Sequence, residues 1–526
     1  MAIFWVQARC ILAETAPPGE IAPEPGTGNT EQELVKASSY MVAAANPYAV
    51  SAGYDILKKG GSAIDAVITT QLVLNLVEPQ SSGIGGLGLV VYFDNNSRQL
   101  STWEGRETAP ELARPDYFLD KKGEPLAFYD AVVGGHYVAT PGLLKLMYEV
   151  HQKHGKLEWE TLFKPAIKLA QEGFIVSPRL ARLVAMDQTR LSRYETTRNY
   201  FYPEGRPVQE GDLLKNLPFA STLSLIASSG IDPFYQGEIG RDIVTTVNSV
   251  TDNPGLLSMS DLSGYEVKER DPVCMDYRGD LICGMGPPSS GGLTVGQILG
   301  MLDHYELSEL GKDNPNSWQL IGDATRLAFA DRGLYIADPD FVNVPEGLLD
   351  KSYLLERSQQ LYTGRPLKEV APGLPPGVDD ISQAPGEALE LPATTHISIV
   401  DSDGNAVAMT SSVENAFGSR LMVRGFLLNN SMTDFSLSPS VDGKLVANRI
   451  EPGKRPMSSM SPTIVLRDGQ PYMVLGSAGG SRIILHVAKT IIAHRDWQLP
   501  VNDAVSLSHR INMHGYYELE AGTDAE

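Results

Sequence analysis

The chain is short of cysteine, short of basic charge, and without a long apolar run. Only Cys10, Cys274 and Cys283 occur among 526 residues, and they form no CxxC pair and no metal-ligand spacing. The expectation is a fold not held together by disulfides. Lys and Arg number 43 against 64 Asp and Glu, a net charge of −21. Such a balance excludes a basic face for nucleic acid and leaves a negative field that favours solubility and repels polyanions. No apolar stretch approaches the ~18 residues that span a bilayer. Met1–Leu12 is apolar but broken by Arg9 and has no basic n-region, so it reads as a remnant export signal. Pro17 to Glu33 is rich in Pro, Gly and Glu, which makes residues 1–42 a leader, flexible or a remnant. No repeat of fixed period is found.

What is present is an ordinary globular composition, 42% hydrophobic and 20% charged, with 50 Gly and 35 Pro pointing to many turns. The patterns predict a helix over Pro47–Lys58 and a second one toward Leu76, capped by Ser62 and Asp65. Another is expected from Thr140-Pro141 to Gly155, and a further one over Asn316–Arg332. Leu87–Phe93 reads as a strand. Two hairpins are expected, one turning at Asp403-Gly404 and one at Asp468-Gly469. Gly83-x-Gly85-x-x-Gly88 matches a dinucleotide-binding pattern only on paper, because a helix precedes it and a strand follows. It reads as a turn where backbones pack closely. His151 and His154 read as a solvated helix face, and Pro287–Gly292 as a structural loop.

The most informative place is a boundary. Arg365 to Ala393 is rich in Pro, Gly and acidic residues and cannot form a regular element, and Thr394 opens a strand directly after it. A structureless tract of that length inside a compact protein is uncommon unless functional. Cleavage of the Ala393–Thr394 bond would give Thr394 both a hydroxyl and a free α-amine. That amine titrates near ~8 and can serve as the nucleophile's own base. Gly476 to Gly480, leading into a helix that starts at Ser481 and reaches about Arg495, offers backbone N–H groups to an anion; without a Lys in the loop, an oxyanion hole fits as well as a phosphate site.

With these residues the chain resembles the γ-glutamyltransferase family (glutathione hydrolases) of the N-terminal nucleophile hydrolase superfamily, from about Ala43 to Glu520. The resemblance rests on separated motifs in the family's order: Pro79 to Gly86, Gly105-Arg106-Glu107, Pro287 to Gly292, Ala330-Asp331-Arg332 with Asp338 to Phe341, Thr394-Thr395-His396, Lys454-Arg455-Pro456 with Ser458 to Thr463, and Gly479 to Arg482. It implies an α+β fold, a four-layer αββα sandwich with two antiparallel-rich sheets between helical layers. It also implies autocatalytic cleavage into a heavy piece, 43–393 after the leader, and a light piece, 394–526, which stay associated. No metal and no cofactor are implied, and no nucleic acid or membrane span. Localisation, inferred from the family, is periplasmic or extracellular.

Residue by residue, the resemblance makes Thr394 the nucleophile, with Thr395 and Ser412 supporting it and Gly479 and Gly480 forming the oxyanion hole. Arg106, helped by Ser458 and Ser459, would hold the substrate α-carboxylate, a task suited to a bidentate guanidinium. Asp434 would bind the α-ammonium. Glu414 stands where the family's transpeptidases have Asn, and Ser431 where they have Gln or Glu. Either Glu414 and Asp434 together hold the ammonium, or the pocket is retuned for acyl groups without one, as in cephalosporin acylases. Two carboxylates facing an uncharged group would repel, which favours the amino-bearing substrate. The span between Phe435 and Lys454 is short and lacks an aromatic residue to close the site, which points toward hydrolysis. The chain stops at Glu526, earlier than family light subunits, so an uncovered sheet edge is expected. Three functions follow: a γ-glutamyl hydrolase/transferase acting on glutathione-like donors, a glutaryl/cephalosporin-type acylase, and an uncleaved, non-catalytic binding remnant.

Overall fold

Burial along two neighbouring strands shows where the catalytic half of the molecule is anchored. Every residue of Ala406–Ser412 is buried, whereas Thr394–Val400 alternates between buried and half-buried. The first is therefore central and the second lies nearer a rim. The computed structural model describes residues 33–526 apart from 124–125, 363, 387–389 and 391–392. The expected leader lies outside the described residues up to position 32.

A six-stranded antiparallel sheet runs in the order Met41–Ala43, Thr394–Val400, Ala406–Ser412, Leu87–Asp94, Gln99–Gly105, Lys268–Arg270. A second sheet has the order Gln470–Leu475, Thr463–Arg467, Asp280–Gly284, Val273–Tyr277. The sheets meet through Val91, Phe93, Ala406 and Ala408 on one side and Ile464 and Leu466 on the other. Helices Pro47–Lys58, Ala63–Val77 and Leu143–His154 cover the outer face of the first, packing on Val90, Ile397, Val407 and Met409. Gly291–Leu302, Pro315–Tyr335 and Ile483–Arg495 cover the second, on Ile282 and Val465. The architecture is the αββα sandwich, mixed α+β, as expected. Both sheets combine strands from before and after position 394, joined through the pairings of Ala406–Ser412 with Leu87–Asp94, Thr394–Val400 with Met41–Ala43, and Thr463–Arg467 with Asp280–Gly284, so breaking that one bond leaves the two pieces hydrogen-bonded together.

Helix Ala63–Val77 is buried along its whole length, and its start is fixed by the expected reciprocal bonds between Ser62 and Asp65. The glycine turn also behaves as read. A Cβ on Gly86 would sit 2.1 Å from the Ser412 carbonyl oxygen, which leaves room for glycine alone where the turn crosses the end of the central strand.

Four expectations need correction. Cys274 and Cys283 form a disulfide, because they fall directly opposite each other on adjacent strands of a tight hairpin; a spacing of nine residues hid that partnership. Met41 and Val42, assigned to the leader, belong to the edge strand that pairs with Ile399 and Val400. Helix Leu143–His154 starts after Pro141, whose carbonyl instead accepts from the Tyr235 hydroxyl. His151 and His154 are packed, not solvated: the His151 ring bonds to the Leu157 carbonyl at 2.8 Å, and His154 lies against Tyr92 with ring centroids 4.5 Å apart. Gln470–Leu475 is an edge strand, half-exposed and paired on one side only among the described residues.

Candidate active site

The strand ladder delivers the central pair of side chains. Thr394 is the first residue of its strand and Ser412 the last of the neighbouring one, and the register sets them directly opposite. Their hydroxyls are 3.4 Å apart, and both are buried. The Ser412 hydroxyl in turn donates to the Ala393 carbonyl, on the peptide bond before Thr394, and accepts from the Glu414 amide at 2.8 Å. One hydroxyl thus touches both the Thr394 hydroxyl and the carbonyl of the peptide bond before it. Thr395, one residue on, points to the opposite face of the sheet by strand alternation. Its hydroxyl is buried without a hydrogen-bond partner.

A cavity of about 20 Å³ opens at this pair, lined among others by Thr394, Ser412, Arg106, Glu414, Asp434 and Gly480. That is room for about one water, not for an acyl substrate. Ser458 also lines it, on a loop held by Pro287–Gly292: the Ser289 hydroxyl donates to the Met460 carbonyl and that of Ser290 to the Ser458 carbonyl. Gly479 and Gly480 have φ of 135° and 59°, which favour glycine, and they deliver the chain into the helix Ile483–Arg495.

Arg106 is fully buried and heavily engaged. Its Nε donates to the Pro456 carbonyl, Nη1 to Glu107, and Nη2 to both Asp434, at 2.5 Å, and the Met457 carbonyl. The other oxygen of Asp434, Oδ1, is buried with no partner. Burial pushes the Asp434 carboxyl well above the usual carboxylate range; Arg106 opposes this, and the charge of Glu414 adds to it. Glu414 has φ of 78°, a left-handed conformation uncommon for Glu, and its carboxylate accepts from Asn430.

The structure thus brings together seven of the residues singled out from sequence, with Ala393 adjoining them. Ser431, Ser459, Thr395 and Gly479 do not line the cavity. Ser431 donates to Glu107 at 2.8 Å, because Glu107, drawn in to neutralise Arg106, takes the hydroxyl that a substrate would otherwise meet. Ser459 accepts from Arg332 at 2.8 Å.

Sequence reasoning missed Glu390, which lines the cavity, and Arg332, which grips it. Ala330-Asp331-Arg332 was a visible motif, but nothing in it told which charge was structural. Asp331 is the structural one, bonded to Gln297, Tyr353, Arg357 and the Gly373 amide. His396 was also left without a role. It bonds to Thr410 and Ser398 and packs against Gly476, and burial holds its pKa down to about 3, so it is a neutral brace for the glycine loop.

The family model described as Gamma-glutamyltranspeptidase matches residues 49–526. The chain is 39% identical over 474 residues to the glutathione hydrolase proenzyme of Bacillus subtilis (strain 168), covering 88% of this chain and 79% of that protein. It is 37% identical over 511 residues to the glutathione hydrolase proenzyme of Escherichia coli (strain K12), covering 94% and 85%. Among solved structures, the cephalosporin acylase from Bacillus halodurans superposes with a TM-score of 0.80 at 27% identity, covering 93% of this chain and 87% of that one. With a family model spanning nearly the whole folded chain and two relatives above a third identical, the chain belongs to the gamma-glutamyltranspeptidase family.

Proposed function

We propose that this chain is a self-cleaving γ-glutamyl hydrolase and transferase, which takes the γ-glutamyl group of glutathione or a related compound onto Thr394 and passes it to water, an amino acid or a peptide. In the first stage the Thr394 hydroxyl attacks the Ala393 carbonyl. A C–O bond forms, the C–N bond breaks, and the hydroxyl proton ends on the nitrogen that becomes the Thr394 α-amine. Water then hydrolyses the ester, releasing the Ala393 carboxylate and restoring the hydroxyl. The Ser412 hydroxyl, already donating to the Ala393 carbonyl, favours the developing oxyanion.

In the second stage the free amine takes the Thr394 proton as the oxygen attacks the γ-carbonyl, and gives it to the leaving amine. The N–H groups of Gly479 and Gly480 receive the oxyanion. Water or an amine then takes the acyl group by the reverse path. Asp434 and Glu414 hold the substrate ammonium, and Arg106 with Ser458 and Ser459 faces the α-carboxylate.

The observation that carries the amino-bearing substrate is the unpartnered Oδ1 of Asp434. A buried carboxylate oxygen without a donor is costly, and an ammonium supplies the donors and the charge. A glutaryl group supplies neither, although the likeness to the cephalosporin acylase keeps that reading as the rival. The Cys274–Cys283 pair suits an oxidising compartment, which supports a periplasmic or extracellular site. Among the described residues no helix is long and apolar enough to cross a membrane.

The test is intact mass of the purified chain after a day's incubation, followed by hydrolysis of γ-glutamyl-p-nitroanilide and glutaryl-p-nitroanilide. Fragments meeting between Ala393 and Thr394 with preference for the first substrate support the proposal. A persistent single chain, or preference for the second, overturns it.

A further inference from the structure

The carbonyl of Ala478, immediately before the paired glycines, is held from two sides. The Ser477 hydroxyl donates to it at 3.0 Å. His486 Nδ1 lies 3.2 Å from the same oxygen and 2.9 Å from the Ser477 hydroxyl. A carbonyl oxygen only accepts, so Nδ1 carries the ring proton and shares it between these two oxygens. His486 sits in the first turn of the helix Ile483–Arg495, against the loop: a Cβ on Gly479 would come within 3.1 Å of its Cε1. The ring is itself held in place. His509 packs on it with ring centroids 3.9 Å apart, and Glu518, on the hairpin that follows His509, accepts from Arg482 Nε at 2.7 Å. Burial, and after it the charge of Lys489, holds the His486 pKa down to about 3, so the ring is neutral with one N–H to give.

A trans peptide is planar, with its C=O and N–H directed oppositely. Fixing the Ala478 oxygen toward Ser477 and His486 therefore fixes the Gly479 N–H on the other side of the plane. Among the described residues, neither the Gly479 nor the Gly480 N–H donates to a protein acceptor. Two adjacent unpartnered donors, beside a cavity that Gly480 lines, suit an anion that forms only during reaction. Glycine has the freest backbone of any residue, and Gly479 lies at φ of 135°, so the direction of its N–H has to be imposed by neighbours. We propose that His486, acting through Ser477 and the Ala478 carbonyl, is a positioning residue that aims the Gly479 N–H at the oxyanion formed when Thr394 attacks its acyl donor. The inference rests on the acyl-transfer chemistry of the proposed function, and it is the same for a γ-glutamyl or a glutaryl donor. A donor already turned toward the oxyanion needs no reorganisation as charge develops, which is why its aim governs rate rather than substrate affinity.

The test measures kcat and KM of cleaved protein for γ-glutamyl-p-nitroanilide and glutaryl-p-nitroanilide. His486→Leu is expected to lower kcat about 10- to 100-fold on whichever donor wild type hydrolyses, less than outright loss of an oxyanion donor, with KM unchanged. His486→Asn, whose side-chain N–H falls near the place of Nδ1–H, should recover most of the rate. Ser477→Ala, a change on a half-exposed loop, should lower kcat in the same way. Adding it to His486→Leu should cost little more, because both act on one carbonyl. Self-cleavage, which relies on the Ser412 hydroxyl, should keep its wild-type rate in all of them. Wild-type kcat in both His486→Leu and Ser477→Ala overturns the proposal, as does a change in KM alone or an equal slowing of self-cleavage, and each leaves the donor assignment intact. If wild type hydrolyses neither anilide, the γ-glutamyl reading fails by itself, and deuterium exchange of the uncleaved Thr394→Ala chain reads the loop instead. There His486→Leu should speed exchange across residues 476–482 about tenfold, as loss of a local restraint does, and unchanged exchange overturns the proposal.

Discussion

The hydroxyls of Thr394 and Ser412 face each other at 3.4 Å as the terminal pair of an antiparallel ladder, and Ser412 also donates to the carbonyl of Ala393. A backbone register, the most rigid relation that two residues can have in a sheet, thus aligns the proposed nucleophile with the carbonyl it is proposed to attack. Ser412→Ala should fold, since it removes one hydroxyl from a fully buried strand, and should slow self-cleavage about 100- to 1000-fold, as loss of an oxyanion donor does. Ser412→Thr should retain most of the rate. A time course of intact mass checks both, and cleavage of the Ala variant at the wild-type rate would refute the role.

Thr394→Ala should leave a single chain of full mass with no hydrolysis of γ-glutamyl-p-nitroanilide. The substitution removes only the hydroxyl and a methyl at the start of a strand, so the melting temperature should stay close to that of wild type. A cleaved, active Thr394→Ala protein would remove Thr394 from the chemistry altogether.

Glu414 contributes charge at a position where its backbone is strained. With φ of 78° it sits where Asn is far better tolerated than Glu, and such strain is kept at sites where the side chain is used. Glu414→Gln should raise KM for γ-glutamyl-p-nitroanilide about tenfold, and leave glutaryl-p-nitroanilide unaffected or improved. Equal effects on both donors would mean that Glu414 does not face the ammonium.

The sequence-level motifs led to the site because the chemistry demands fixed residue types at chain landmarks. Thr394 is legible as the first strand residue after an irregular tract, and Gly479-Gly480 as a turn that only glycine makes. The hairpin around Asp403-Gly404 was legible from its alternation and its turn residues, and its register then fixes Ser412 opposite Thr394. Charge bookkeeping was not legible. Glu107 takes Ser431, Arg106 takes Asp434, and Arg332 takes Glu390, and each pairing joins residues far apart in sequence. The Cys274–Cys283 bond was missed for a related reason: it depends on the two-residue turn between Tyr277 and Asp280, which decides what lies opposite what.

That disulfide closes a loop of nine residues between neighbouring strands of the sheet that carries the active-site loop Ser458–Thr463. By loop-closure entropy it stabilises by about 2–3 kcal/mol. Urea unfolding of the Thr394→Ala chain should show an unfolding free energy lower by that amount, and so a lower midpoint, in Cys274→Ser or under reductant, while the cleavage rate of the wild-type chain stays unchanged. No shift in the midpoint would mean that the hairpin is held by its ladder alone.

Asp434 should make stability and substrate affinity respond to pH in opposite directions. In the unfolded chain its carboxyl titrates at the ordinary 3.8; in the folded chain burial, reinforced by Glu414 and opposed by Arg106, raises it well above that. The folded chain therefore binds more protons between the two values, and the stabilisation present below 3.8 is lost as pH rises through the folded value. Unfolding free energy of the Thr394→Ala chain, measured in urea from about pH 4 to 8, should fall across this window through Asp434. Glu104 and Glu107 are raised by burial as well, so the diagnostic quantity is the slope that Asp434→Asn removes. A substrate ammonium binds the ionised carboxylate, so KM of the cleaved enzyme for γ-glutamyl-p-nitroanilide should decrease as pH rises through the same range. Asp434→Asn should raise KM and abolish that dependence. If the Asn variant keeps the wild-type slope in both experiments, the ammonium is held elsewhere and Asp434 serves only to neutralise Arg106.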